Sequence, residues 1–181
     1  LERFTNAASI PVVNALTDDE HPCQALADLL TMREVRGKLA GAKVALIGDG
    51  NNIAASLALA LATAGSEFTI ASPGSYTLPS AVAEHASRIA SGNGASISLV
   101  TDPVEAVAGA DFVYTGAWIS MGQEEEGERR RVAFESYRVD PDLLAQARAG
   151  ALFMHPLPAH RGEEISDGLL EHPQSVVFDQ A

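Results

Sequence analysis

The segment FMHPLPAHRGEE, residues 153–164, sets two prolines, two histidines, an arginine and two glutamates directly behind an apolar run. Proline has a fixed φ and no N–H to donate. A loop built on Pro156 and Pro158 is therefore rigid, and what it presents from His155, Pro156 and Leu157 is carbonyl oxygen. Carbonyls suit an amine or an amide NH2; the alternative is a rigid exposed loop without a ligand. HPCQ, residues 21–24, puts an imidazole and a carboxamide three positions apart, on one face of a helix that Pro22 is suited to begin. His21 and Gln24 together can polarise a carbonyl, although a histidine at a helix start also has purely structural uses. GDGNN, residues 48–52, follows an apolar run and opens another helix, with Gly48 and Gly50 free to bring backbone close to an anion. Asn52 reads either as the cap of that helix or as an amide for a substrate carboxylate. WISMG, residues 118–122, offers the Ser120 hydroxyl and a backbone N–H around Met121 and Gly122, or is a capped turn.

The elements that must position these groups alternate along the chain. LTDDEHPCQALADLLTMREVRG reads as a helix with Thr17, Asp18 and Asp19 as cap candidates, Leu26, Leu29 and Leu30 at helical spacing, and Gly37 as the stop. AKVALIG, EFTIAS, SISLV, DFVYTG, ALFMH and SVVF read as short buried strands. Between them NIAASLALALATAG, PSAVAEHASRIASGNG, DPVEAVAGA, PDLLAQARAG and GEEISDGLLE read as helices. About six alternations imply right-handed crossovers, hence an α/β, three-layer, Rossmann-like domain with a central parallel sheet and helices on both faces. Ligands on such sheets bind beyond the carboxyl ends of the strands, where GDGNN, SPGSY, TGAWISMGQE and HPLPAHRGEE all fall. EEEGERRR, residues 124–131, reads as a solvated helix face with opposite charges three to four apart.

Composition narrows the function. The 181 residues are 46% hydrophobic, enough for a sizeable core. Acidic residues number 24 against 12 basic, a net charge of −12, which argues against nucleic acid as a partner. The longest apolar runs fall short of the ~18 residues a membrane helix needs. The single cysteine, Cys23, expected to be half-buried, cannot form an internal disulfide, and a reducing, cytoplasmic location fits. GDGNN is not a dinucleotide fingerprint: Ile53 occupies the third small position, and Ala71 and Ser72 stand where an acid would hold a ribose. No cofactor or metal is implied. A chain that starts at Leu1 without a leader reads as a fragment.

Taken together and in order, HPCQALADLLT, IGDGNN, WISMGQEEE and LPAHRGEEI resemble the aspartate/ornithine carbamoyltransferase family, most closely its ornithine branch, over nearly the whole chain. The resemblance implies the second, amino-acid-binding domain at residues 21–181 without its C-terminal helix. Residues 1–20 would be the tail of the carbamoyl-phosphate domain and the crossing between the two. It implies transfer of a carbamoyl group from carbamoyl phosphate to ornithine, giving citrulline and phosphate, in arginine metabolism. His21 and Gln24 would contact the carbamoyl group, with Pro22, Cys23, Pro156 and Leu157 completing the carbamoyl phosphate site. The carbonyls around Pro156 and Leu157 would receive the carbamoyl NH2 and steer the amine. Asn52, Gly116, Ser120 and Met121 would line the amino-acid site. The resemblance also implies a homotrimer at full length, with active sites shared between neighbours. The reaction needs orientation of two reactants, oxyanion stabilisation and a neutral amine. Deprotonating a δ-ammonium at pH 7 costs on the order of 4–5 kcal/mol.

The sequence departs from that pattern in three ways. Gly116 replaces the aspartate that pairs with ornithine's ammonium groups; losing such a charged hydrogen bond costs roughly 1.5–3 kcal/mol, about 10- to 150-fold. Pro156 replaces a cysteine. The phosphate loop of the STRTR kind, and an arginine expected just past Ala181, are absent, so the 181-residue chain alone is expected to be inactive. HPLP is the aspartate branch's version of the loop, but that branch needs basic residues near 114–122, and YTGAWISMG has none. Two further readings follow: a carbamoyltransferase for a different amine or a modified amino acid, and a non-catalytic amino-acid-binding domain.

Overall fold

The computed structural model describes every residue except Met121. Five strands, β1 (Lys43–Ile47), β2 (Glu67–Ala71), β3 (Ser96–Val100), β4 (Phe112–Thr115) and β5 (Leu152–Met154), form one wholly parallel sheet in the order β3-β2-β1-β4-β5. The chain builds outward from β1 to β3, then crosses back to lay β4 against the other edge of β1. The order of connection reverses there, so a crevice opens between the carboxyl ends of β1 and β4.

Successive side chains on a strand point to opposite faces, and the two cores follow that alternation. Val44, Leu46, Phe68, Ile70, Phe112 and Tyr114 face one layer, with α2 (Pro22–Arg36), α3 (Asn52–Ala64) and α4 (Ser80–Ala90) packed over them. Ala45, Ile47, Ala71, Val113 and Phe153 face the other. They are covered by α5 (Pro103–Val107), α6 (Gly127–Phe134), α7 (Pro141–Leu144) and the segment 165–177. Alanine at 54, 55, 58 and 62 lets α3 sit close to the sheet, and Gly65 ends it in the left-handed region, φ 77°. A short helix α1 (Glu2–Ala7) buries none of its residues.

Five expectations are corrected. GEEISDGLLE is not a helix: Val139 N–H donates to the Glu164 carbonyl at 2.9 Å and Ser166 N–H to the Val139 carbonyl at 3.0 Å. That parallel bridge uses the backbone groups a helix would need. SVVF is not a sixth strand; after one bridge between Phe153 and Ser175 the chain coils into α8 (Val177–Gln180). PDLLAQARAG is helical only over α7. In EEEGERRR the Arg131–Glu128 pair at 3.0 Å is of the expected kind, but Arg130 is 3% exposed. In α2 the buried positions are Ala25, Asp28, Thr31 and Met32, whereas Leu26 is 66% and Leu30 55% exposed.

Candidate functional site

His21 is the N-cap of α2 and makes no side-chain cap bond, so Thr17, Asp18 and Asp19 are not its caps; Thr17 Oγ1 instead accepts from Glu20 N–H at 3.2 Å. The backbone N–H of His21 donates to Ser56 Oγ at 2.9 Å, and that hydroxyl donates to the Glu20 carboxylate. Ser56 lies on α3, so the start of α2 is fixed to the helix that GDGNN opens. His21 Nδ1 is buried and has no partner among the described residues. Pro22 occupies the first helical position, and Gln24 donates through Nε2 to Asp28 Oδ1 at 2.9 Å. Cys23 is exposed rather than half-buried, its thiol 3.4 Å from the Asn14 carbonyl.

At the end of β1, Gly48 adopts φ 139° and donates its N–H to the Ala71 carbonyl at 2.9 Å. Gly50 is required for a different reason from the one its sequence suggests. A Cβ there would lie 2.4 Å from the Leu78 nitrogen and 2.6 Å from the Thr77 oxygen. Backbone of this protein, not a ligand, occupies the space. The cap of α3 is Asn51, which accepts from Ile53 and Ala54 N–H at 3.1 and 3.2 Å. Asn52 is thereby freed from capping, and its Nδ2 donates to the Thr17 carbonyl at 2.7 Å. One amide N–H thus secures the incoming chain at the edge of the crevice.

At the end of β4, Thr115 donates its hydroxyl to the Ile47 carbonyl at 2.7 Å, binding β4 to β1. Gly116 follows, and a Cβ there would lie 3.7 Å from Pro156 Cγ. Any side chain placed at 116 would therefore meet Pro156, the other departure from the family pattern in this region. Leu46, Asp49, Asn51, Ile53, Tyr114 and Gly116 line a narrow cleft beside them. Ser120 is half-buried, with its N–H on Gln123 Oε1 at 3.1 Å. Met121, a proposed acceptor contact, lies outside the described residues.

The proline loop is braced from inside. His155, 1% exposed, accepts Leu157 N–H on Nδ1 at 3.0 Å and faces Glu164 Oε1 with Nε2 at 3.2 Å. Holding Leu157 at φ 46° costs a non-glycine residue roughly 1–2 kcal/mol. Since Pro156 and Pro158 lack N–H groups and that of Leu157 is consumed, carbonyls are what remains. No hydrogen bond among the described residues takes those of Pro156 or Leu157. Burial alone would raise the Glu164 carboxyl, but hydrogen bonds from His155 and from backbone N–H groups hold it below its usual value.

Sequence reasoning missed two groups that organise this crevice. Arg130 reaches from α6 to the Asp49 carboxylate and donates through Nε to the Trp118 carbonyl, so the GDGNN and WISMG loops share one guanidinium. Burial raises the Asp49 carboxyl above its usual value even against Arg130. Asp28 sits beneath the crevice, fully buried, with its carboxyl pushed up to about 6 by that burial. Residue order gives little signal of either: one lies in a charged run, the other opposite a leucine stripe. Among the described residues, none of Asp49, Asp111 and Glu124 is free to stand in for an aspartate at 116. Asp49 is taken by Arg130; Asp111 is at the far end of β4, paired with Arg36 and Arg148; Glu124 turns onto Gly122 N–H.

Comparison with known proteins agrees with this geometry. Residues 40–181 match the family model for the aspartate/ornithine carbamoyltransferase Asp/Orn binding domain, and residues 1–34 that for the family's carbamoyl-P binding domain. The chain is 55% identical over 174 residues to an ornithine carbamoyltransferase of Acidothermus cellulolyticus, covering 96% of this chain and 56% of that protein. It is 50% identical over 181 residues to one of Anoxybacillus flavithermus, covering 100% of this chain and 58% of that protein. The structure of an ornithine carbamoyltransferase from Pyrococcus furiosus superposes with a TM-score of 0.94 at 46% identity, over 99% of this chain and 57% of that one. The chain thus spans a little over half the length of these relatives. With the matched domain models covering its strands, its crevice and its α2 segment, the chain belongs to the aspartate/ornithine carbamoyltransferase family.

Proposed function

We propose that this chain is the acceptor-binding part of a carbamoyltransferase that moves the carbamoyl group of carbamoyl phosphate to the δ-amine of ornithine, giving citrulline and phosphate. The observation that carries the reading is the convergence of HPCQ, GDGNN, WISMG and the proline loop on the crevice at the carboxyl ends of β1, β4 and β5. The start of α2 is bonded to α3 there through Ser56. The amine attacks the carbamoyl carbon, a tetrahedral oxyanion forms, and the C–O bond to phosphate breaks. His21 and Gln24 address the carbamoyl group, and the Pro156 and Leu157 carbonyls take its NH2 and orient the incoming nitrogen. Asn52, Ser120 and Met121 hold the amino-acid head group. α2 packs on α3 through Ala25 while α1 buries nothing. This supports residues 21–181 as one packed unit after residues 1–20 as the end of a carbamoyl-phosphate domain, although the family's carbamoyl-P binding domain model runs on to residue 34 and takes in most of α2. The whole protein would be a cytoplasmic homotrimer.

A second reading has specific support. No carboxylate stands at 116, and Asp49, Asp111 and Glu124 are each engaged elsewhere. The acceptor is then an amine or modified amino acid that does not present an ammonium to that position. Titration of the native gene product containing this chain, loaded with carbamoyl phosphate, against norvaline separates the two. Norvaline has ornithine's α-carbon groups without the δ-amine. Saturable heat is expected if ornithine is the acceptor; no binding at millimolar norvaline transfers the assignment to the second reading.

A further inference from the structure

A carboxylate rarely enters a core without a charged partner. Asp28 does so with three neutral ones, each from a different element. Gln24, one turn earlier in α2, donates through Nε2 at 2.9 Å, and Gln180, in α8, through Nε2 at 2.6 Å, both to Oδ1. Tyr114, in β4, donates its hydroxyl to Oδ2 at 3.0 Å. Each partner leads to a segment of the crevice. Gln24 belongs to HPCQ, and Tyr114 stands two residues before Gly116. Gln180 uses its Oε1 to accept the N–H of His155 at 2.9 Å, next to Pro156. One side chain thereby ties α2, the end of β4 and the proline loop together.

The chemistry of the carboxylate adds direction. An ionised carboxylate only accepts hydrogen bonds, so each amide must turn its NH2 inward and its oxygen away. For Gln180 the outward oxygen meets His155. For Gln24 it is left as an acceptor on the side away from Asp28. A neutral amide at 28 would not discriminate, because it can meet Gln24 through either end. We propose that Asp28 is a positioning residue of the carbamoyl-transfer site, locking Gln24 with Oε1 presented to the carbamoyl NH2 while fixing α2 against the proline loop. This rests on the carbamoyl-transfer reading, which supplies the ligand.

The test is a double-mutant cycle in the native gene product containing this chain, with Asp28→Asn, Gln24→Ala and both together. Asp28→Asn is expected to lower kcat/KM for carbamoyl phosphate about tenfold, as one misdirected hydrogen bond does. Gln24→Ala is expected to lower it at least as much, and the double variant no further than Gln24→Ala within about twofold. Losses that multiply would show that Asp28 acts through the fold and not through Gln24, and an unchanged Asp28→Asn enzyme would equally overturn the proposal. If the unmodified protein transfers carbamoyl to no amine, the functional reading fails, and amide NMR of the chain decides the positioning separately. The Gln24 and Gln180 side-chain NH2 signals should shift together as pH falls through about 6 and stay fixed in Asp28→Asn. Tyr114, the other group facing Asp28, is pushed well above its usual value and stays neutral throughout. Independent or absent shifts overturn the locking.

Discussion

Replacing Arg130 by methionine is expected to destabilise the fold by about 3–5 kcal/mol, the usual cost of leaving one member of a buried ion pair behind. The Arg130 side chain is 4% exposed and that of Asp49 10%, so the abandoned carboxylate is left largely desolvated. The same substitution removes the donor to the Trp118 carbonyl and the guanidinium stacked 4.7 Å over the Tyr76 ring. Denaturant unfolding at pH 8 measures the loss. Adding Asp49→Asn to Arg130→Met should recover a large part of it, because the uncompensated charge is then gone. The penalty of Arg130→Met should also shrink in acid, as protonation neutralises Asp49. A single variant within about 1 kcal/mol of the parent would mean that the pair is not what joins the two loops.

Asp28→Asn is expected to do the opposite and stabilise the protein at pH 8. Burial moves the Asp28 carboxyl from 3.8 to about 6 in the folded state. A folded value raised above the unfolded one contributes stability that is complete below about pH 4 and is lost as pH rises through 6. The ionised form therefore costs about 3 kcal/mol at pH 8, and the asparagine variant does not incur it. For a domain of this size the gain corresponds to roughly 6–12 °C in Tm. Melting curves of the two proteins should be well separated at pH 8 and coincide near pH 4; separation of equal size at both values would rule out the buried charge as its source. A residue that weakens the fold at working pH, yet joins Gln24, Tyr114 and Gln180, is what a site residue looks like.

How much of this was legible in the sequence depends on which force placed each residue. The five strands and α3 were readable because apolar runs and glycine stops are local signals, and burial on both faces reinforces them. GEEISDGLLE and SVVF were misread because their backbone bonds are set by partners far along the chain, Val139 and Phe153, which no local pattern reveals. In α2 the periodicity pointed at Leu26 and Leu30 although Asp28 and Met32 face the core. A leucine stripe and a buried face coincide only when the core alone selects the apolar residues. Arg130 was lost inside EEEGERRR because its burial depends on Asp49, distant in sequence. The site motifs carry a different kind of local signal. HPCQ, GDGNN and HPLPAHRGEE are marked by residue types with fixed geometry, proline, glycine and short amides, and the crevice brings them together. The division of labour between Asn51 and Asn52 was not legible, since either fits the first turn of α3.

The central claim is tested most directly by assaying the native gene product containing this chain for ureido product, with carbamoyl phosphate and millimolar ornithine. The account predicts ornithine-dependent citrulline formed in step with phosphate release. No citrulline above the rate without enzyme would contradict ornithine as the acceptor, whatever the likeness of the fold.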